Sequence, residues 1–230
     1  MDNIVKKPWG YEYLIYENED VGFWLLHIKK DQSTSMHCHP KKTTGLILLD
    51  GVAEVSFLGD KKLIKGLDKI MIRRGLFHQT KAVLGDTLVL EIETPKDKHD
   101  LVRLNDRYGR ENKAYEDSSF EIPKDGTCLW LDEPKDGSTK NIRFFKDCCF
   151  LTEKISNIQQ INSKQDEDLI VFLKGGLVRN IDGKEHLVTI PGDVGFGKIV
   201  KQVSSQLDKV QEGTIILTIQ KYELSRFYHT

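Results

Sequence analysis

Short apolar runs alternate with turn residues along most of this chain. Val52-Ala53-Glu54-Val55-Ser56-Phe57 alternates side to side before Gly59-Asp60, and Leu88-Val89-Leu90-Glu91-Ile92-Glu93 stops just before Pro95. Asp168-Leu169-Ile170-Val171-Phe172-Leu173 runs into Gly175-Gly176, and Thr214-Ile215-Ile216-Leu217-Thr218-Ile219 lies near the C-terminal end. Segments of this length, with period two and regular turn spacing, predict an all-β sandwich or barrel. Helical periodicity is scarce; Gln159 to Asp168, polar except for Ile161, reads as a loop or a short helix. The polar stretch from Asn112 to Asp125, running into Gly126, reads as a linker and divides the chain into lobes 1–112 and 113–230. The two halves share a plan. A strand into Asp50-Gly51 and a later Gly66-Leu67-Asp68 step correspond to a strand into Gly175-Gly176 and a later Ile190-Pro191-Gly192-Asp193 step, which is a weak internal repeat.

Composition narrows the function classes. The 230 residues are 39% hydrophobic and 30% charged with a formal net charge of -1, so nothing in the balance calls for nucleic acid or an acidic membrane as partner. Met1 to Lys7 lacks the apolar core of a secretion signal, and no apolar run approaches membrane-spanning length. Cys38, Cys128, Cys148 and Cys149 form no CxxC pair and read as reduced thiols. A cytoplasmic protein is expected.

The most informative segment is Met36-His37-Cys38-His39-Pro40. Residues two apart on a strand point to the same side, so His37 and His39 would aim at one point while Cys38 faces away. A third imidazole can come from Arg74-Gly75-Leu76-Phe77-His78, where the glycine permits a tight turn before the next strand. Three imidazoles suit zinc, copper, iron or nickel. A pair of solvent-facing histidines on a strand would give the same spacing.

His37 and His39, followed by Gly51, resemble the first cupin motif, H-x-H-x4-E-x6-G, with Thr44 standing where the motif has its glutamate. Arg73-Arg74-Gly75-Leu76-Phe77-His78 resembles the second, P-x-G-x2-H, with Arg73 in place of proline. The resemblance implies a double-stranded β-helix barrel, here a bicupin with a degenerate second lobe. It also implies one divalent metal ion held by His37, His39 and His78, with water in place of the glutamate. Zinc is expected first, with iron, nickel or manganese as alternatives. The edges of the first lobe are similar to a narrower group. Lys7-Pro8-Trp9-Gly10-Tyr11-Glu12 and Asp100-Leu101-Val102-Arg103-Leu104-Asn105-Asp106-Arg107-Tyr108-Gly109-Arg110 look like the opening and closing segments of the mannose-6-phosphate isomerase cupin domain fused to mannose-1-phosphate guanylyltransferase. The guanylyltransferase part has no counterpart. That family carries a glutamine where Ser35 stands here. It interconverts an aldose and a ketose phosphate, using the metal to polarise substrate oxygens and a base to move a proton.

Several side chains near the expected site become candidates. Lys42, Glu91 and Glu93 are candidates for proton transfer; the glutamates share one strand face, which serves only if it points inward. Lys41, Arg73, Arg107 and Arg110 are candidates for holding an anionic sugar. Each could equally be a solvated surface residue. Trp9, Tyr11 and Trp24 read as packing residues. Aligning the repeats places Ile161, Ser163 and Val203 where the three histidines stand, so the second lobe is expected to carry no metal; His186 falls in a surface turn. The leading expectation is a metal-dependent isomerase or epimerase acting on a sugar phosphate or nucleotide sugar, possible in surface-polysaccharide synthesis. The alternatives are a non-haem iron dioxygenase with a three-histidine site, or a non-catalytic sugar-binding cupin. Expected partners are a small anionic sugar and a second copy of the chain in a homodimer.

Overall fold

The alternating segments of the first half pair as antiparallel strands. They are β1 (Asn3–Lys7), β2 (Gly10–Glu17), β3 (Gly22–Ile28), β4 (Met36–Cys38), β5 (Thr43–Asp50), β6 (Val52–Phe57), β7 (Lys61–Lys65), β8 (Lys69–Ile72), β9 (His78–Ala82), β10 (Thr87–Thr94), β11 (Val102–Asn105) and β12 (Ser119–Glu121). The structure, a computed structural model, describes residues 3–110, 119–121 and 128–222. It divides into two units, Met1–Leu129 and Trp130–Thr230.

In the first unit the strands order as β12-β1-β2-β3-β10-β5-β8 in one sheet and β11-β4-β9-β6-β7 in the other. From β3 to β10 the chain passes back and forth so that β3-β10-β5-β8 and β4-β9-β6-β7 each form a four-strand layer. That order is the double-stranded β-helix, an eight-stranded jelly roll. Its core lies between the layers: Leu26, Ile28, Leu46, Leu48, Ile72 and Val89 from one meet Ala53, Val55, Ile64 and Ala82 from the other. Because side chains alternate along a strand, Val89 pointing inward also turns Glu91 and Glu93 inward, and Leu46 and Leu48 turn Thr44 inward. The other face of β10 is buried too, through Leu90 and Ile92. The apolarity of Leu90 and Ile92 therefore did not mark the barrel interior. Gly51, between β5 and β6, has φ of 86° and would place a Cβ 2.6 Å from the Asp86 carbonyl oxygen, so a side chain there has no room.

The second unit contains β13 (Lys140–Phe145), β14 (Cys148–Lys154), α1 (Ile158–Asn162), β15 (Leu169–Lys174), β16 (Leu177–Ile181), β17 (Lys184–Leu187), β18 (Val194–Phe196), α2 (Gly197–Ser204), β19 (Lys209–Val210) and β20 (Ile215–Lys221). Its sheets order as β13-β14-β20-β15-β18 and β17-β16-β19. Within them β14-β20-β15-β18 repeats the sequence of connections in β3-β10-β5-β8, and β19-β16-β17 repeats β9-β6-β7. The turns repeat as well. Asp68 accepts from the Lys65 amide and its carbonyl accepts from Leu48; Asp193 accepts from the Ile190 amide and its carbonyl accepts from Phe172. Gly175, with φ of 63°, would place a Cβ 2.5 Å from Thr214 at the head of β20, as Gly51 meets Asp86 and Thr87 at the head of β10. The element following β14 is α1, where β4 follows β3. Asn157 and Gln160 close its N-terminus as a capping box, and Ile161 turns into the core beside Ile170, Phe172, Leu177 and Ile216.

Most of the segment read as a linker, Asn112 to Asp125, lies outside the described residues. Within it Ser119–Glu121 is a strand, paired with Asn3, Ile4 and Val5 of β1. Ile161 lies in α1 and Ser163 caps it, while Val203 lies in α2, so none of the three occupies a strand. The β16–β19 register runs through Leu177 and Val210, which shows that α2 is an insertion absent from the first unit. His186 is exposed on β17. All four cysteines are free thiols. Among the described residues no helix is long and apolar enough to cross a membrane.

Candidate functional site

His37 and His39 lie on or beside the short strand β4, and His78 opens β9, the strand next to it; His37 and His78 are direct cross-strand partners. The alternation expected from the sequence holds: Cys38 is buried elsewhere while the two flanking rings converge. Ring centroids are 4.4 Å apart for His37–His78, 4.9 Å for His37–His39 and 5.4 Å for His39–His78. One ring nitrogen from each lies within 4.8 Å of the others.

Hydrogen bonds decide which nitrogen that is. The Nδ1 of His37 donates to the Ser35 carbonyl at 2.8 Å, that of His78 to the Leu76 carbonyl at 3.0 Å, and that of His39 to the Asp100 carbonyl at 2.6 Å. A carbonyl only accepts, so each ring carries its proton on Nδ1 and presents an Nε2 lone pair. The Nε2 of His39 is buried and has no partner within the protein. Backbone acceptors that fix tautomer and ring direction are what a metal-ligating histidine needs behind it. Three neutral imidazoles, one with an orphaned buried nitrogen, therefore fit a divalent metal ion. The protonation states agree. Burial pushes His39 down to about 3, helped by the nearby Lys42 ammonium. Burial, with the neighbouring rings, holds His37 well below the usual range, and burial lowers His78 against the opposing pull of Glu91. All three rings are neutral at pH 7 and ready to ligate.

A charged cleft lies beside them. Its walls carry Lys7, Lys42, Lys98, Arg103 and Arg110 together with Glu12, Glu91 and Glu93. Lys42 is almost wholly buried; its ammonium donates to Glu93 Oε1 at 2.7 Å and to the Asp97 carbonyl at 2.7 Å. Lys98 stands 3.1 Å from the same Glu93 oxygen, 3.7 Å from Glu12 and 3.8 Å from Glu91, and 4.3 Å above the Trp24 ring. Burial alone would lower the Lys98 pKa, but the carboxylates of Glu12, Glu91 and Glu93 outweigh it and raise the pKa, so Lys98 stays charged. Glu93 is thus committed to two lysines, whereas Glu91 has one ion pair at the edge of contact and faces the histidines. Arg110 is held by Asp106 through two hydrogen bonds, 2.8 and 2.6 Å, and lies 5.1 Å over Tyr108.

The structure gathers His37, His39, Lys42, Glu91, Glu93 and Arg110 around one cleft, with His78 beside His37 on the neighbouring strand. Lys41, Arg73 and Arg107 are exposed and do not line it. Arg73 sits in the turn after β8 with its side chain in solvent, so the turn that aims His78 inward aims its own flanking arginine outward. Lys41 contributes only its backbone amide, which donates with that of Lys42 to the Asp100 carboxylate. Thr44 is fully buried and its hydroxyl has no partner within the protein. Lys7, Glu12, Lys98, Arg103 and Asp100 were not singled out from the sequence. Glu12 lies on β2 and Lys98 in the segment after β10, and only the closed barrel brings them to Glu91. The one available signal was the family-like opening and closing segments, which contain Lys7, Glu12, Asp100 and Arg103.

No family model and no curated protein matches this chain. Solved structures do. The chain is similar to KdgF from Halomonas sp., with 18% identity over 42% of this chain and 90% of that one, and a TM-score of 0.40. A cupin-2 domain containing protein from Shewanella frigidimarina matches at 19% identity over 36% of this chain and 78% of that one, with a TM-score of 0.33. A putative sugar phosphate isomerase from Acidithiobacillus ferrooxidans matches at 18% identity over 34% of this chain and 52% of that one, with a TM-score of 0.32. At these identities and TM-scores the matches carry no argument, and the fold is read from the strand order. With two four-strand layers in jelly-roll order and a three-histidine cluster at one end, the first unit has the double-stranded β-helix fold of the cupins.

Proposed function

We propose that the first unit is a metal-dependent isomerase or epimerase acting on an anionic sugar, a sugar phosphate or a nucleotide sugar. The observation that carries this reading is the arrangement of three neutral, tautomer-fixed imidazoles opening on a cleft whose inner wall presents Glu91. A divalent ion held by His37, His39 and His78 would supply electrophilic polarisation of substrate oxygens. Everything else falls to the chain's own groups. Glu91 removes a proton from the carbon next to a carbonyl; in an isomerase it returns that proton to the neighbouring carbon while the hydroxyl proton moves between the two oxygens, and in an epimerase an acid on the opposite face of the substrate supplies the new proton. Lys42, anchored by Glu93 and the Asp97 carbonyl, fixes the carboxylate wall beside His39. Lys7, Lys42, Lys98, Arg103 and Arg110 line the cleft, and cationic side chains of this kind support an anionic substrate. Arg103 and Arg110 are the guanidinium groups that line the cleft in this reading.

We read the second unit as a degenerate copy of the same barrel without metal. Its support is the repeated strand order, the matched Asp68 and Asp193 turns, and a helix where β4 would carry histidines.

The test is proton exchange in heavy water with a panel of aldose and ketose phosphates and nucleotide sugars, alongside metal analysis. Deuterium incorporation at a carbon next to the carbonyl in a metal-loaded sample, abolished by Glu91→Gln, is expected. Binding without exchange across the panel would leave a sugar-binding cupin. Oxygen consumption with an iron-loaded sample would mark a dioxygenase instead.

A further inference from the structure

The three imidazoles are not aimed by the same means. His37 and His78 each donate Nδ1–H to a carbonyl two residues back along their own chain, that of Ser35 at 2.8 Å and that of Leu76 at 3.0 Å. Their direction is therefore set by the stretches that carry them. His39 reaches instead to the carbonyl of Asp100, 61 residues further on, at 2.6 Å. Its main chain is tied to the turn before His78, since its carbonyl accepts from the Gly75 amide at 2.8 Å, but its ring takes its direction from the segment after β10.

The place of that segment depends on Asp100 itself. The residue is 7% exposed, and its Oδ2 accepts from the backbone amides of Lys41 at 2.8 Å and Lys42 at 3.0 Å. Those amides belong to the turn that follows His39 and leads into β5. One residue thus clamps the stretch 39–42 twice, the ring through its main-chain carbonyl and the turn through its carboxylate. Within the segment the bonds are short-range: the Asp100 amide donates to the Asp97 carbonyl, the Leu101 amide to the His99 carbonyl and the His99 amide to Asp97 Oδ1. They shape a turn without docking it. Two further links hold its ends, the Lys42 ammonium on the Asp97 carbonyl and the pairing of Val102 with Cys38. Asp100 holds the middle, where the His39 ring rests. Replacing its side chain cannot delete the carbonyl, but losing the carboxylate can move it.

We infer that Asp100 is a positioning residue for the metal centre: its carboxylate docks the segment 97–101 on the turn after His39, and the carbonyl so held fixes the tautomer and direction of the His39 ring. Asp100 belongs neither to the histidine cluster nor to the cleft lining. A proton held on Nδ1 keeps the Nε2 lone pair for a metal, whereas a ring without that acceptor divides between two tautomers and turns. The inference rests on the metal-binding part of the reading above and not on its isomerase or epimerase chemistry.

The test reads the histidine ring nitrogens of metal-free, nitrogen-labelled protein by NMR, with His39→Gln assigning the His39 signals, and measures zinc affinity by competition with a chelator. In Asp100→Ala the His39 signals should move from the Nδ1–H form towards a mixture of tautomers while those of His37 and His78 stay, and zinc affinity should fall about 10–100-fold. Asp100→Asn keeps an oxygen that accepts from both amides and should recover most of that loss. If Asp100→Ala does not fold, Asp100→Glu gives the same reading: its acceptor sits one carbon further out and displaces the carbonyl, so the same selective change at His39 is expected. Unchanged His39 signals or unchanged zinc affinity would overturn the inference. Equal changes at all three histidines would overturn it too, because they would mark a general loss of structure, as would an Asp100→Asn variant as weak as Asp100→Ala. A wild type that binds no zinc would defeat the metal reading instead, and the tautomer comparison in metal-free protein would still decide the role of Asp100.

Discussion

The two units share part of their strand order and differ in what the chain does after the first strand of that shared order. In the first, β4 brings His37 and His39 beside His78, and the inner wall continues through Glu91, Glu93, Lys42 and Lys98. In the second, the chain makes α1 instead of a strand after β14, and Ile161 and Val200 from the two helices complete a core of Ile155, Ile170, Phe172, Leu177, Val210 and Ile216. A partly shared strand order thus accompanies a polar cleft in one unit and an apolar helix-packed core in the other. The difference teaches that the strand order alone specifies no chemistry; a three-residue strand with the right alternation does.

The contrast can be broken by experiment. The strongest disruption is the His37→Ala, His39→Ala double variant. Metal content should fall from one ion per chain to none, as read by elemental analysis, because among the described residues the three histidines form the one candidate cluster; retention of a full equivalent would put the metal elsewhere. Next is Glu91→Gln, which keeps shape and metal but removes the base. Exchange of substrate protons into heavy water should slow by about 10²–10⁴-fold while metal content stays unchanged. A loss of metal would recast Glu91 as a ligand. In the second unit, Ile161→Ala should cost about 2–5 kcal/mol in denaturant unfolding by opening a cavity in that helix-packed core, with no change in metal content. Coupled loss of metal would show that the units are not energetically separate.

A further effect is a pH dependence carried by the first unit. His37, His39 and His78 have folded pKa values depressed by burial below the usual 6.5, His39 to about 3. Below 6.5 the unfolded chain takes up protons that the folded chain refuses. Stability should therefore be full above pH 6.5 and fall as pH drops toward 3, by up to about 1.4 kcal/mol per pH unit for each such histidine. Melting of chelator-treated protein between pH 7 and 5 should show this slope, and the double histidine variant should flatten it. An unchanged slope would assign the acid sensitivity to other groups.

Much of the first unit was legible because its signals are local. A period of two sets His37 and His39 on one side whatever surrounds them, and a glycine turn before His78 restricts where that ring can go. Glu91 and Glu93 were visible as a pair but their direction was not, because β10 is buried on both faces and the apolar Leu90 and Ile92 lie on the other one. Lys98 could not be read at all: its role depends on Glu12, Glu91 and Glu93 meeting in space. Arg73 was legible as a cation beside a ligand, but the side of the turn its chain takes was not, because proximity in sequence does not give it. In the second unit the repeat of glycine and aspartate turns was readable, but the α2 insertion shifted the spacing, so counting residues from Asp193 landed in a helix.

The three Nδ1 protons all rest on main-chain carbonyls, those of Ser35, Leu76 and Asp100. No side-chain replacement at those positions deletes a carbonyl, so the orientation of the imidazoles is insulated from point mutation as long as the backbone keeps its course. Natural drift or a designer's hand can then vary the carboxylates and lysines around the cleft freely while the ligand-bearing core stays poised. Chemistry at this site is adjustable from the rim inward, with the histidine tautomers as its fixed point.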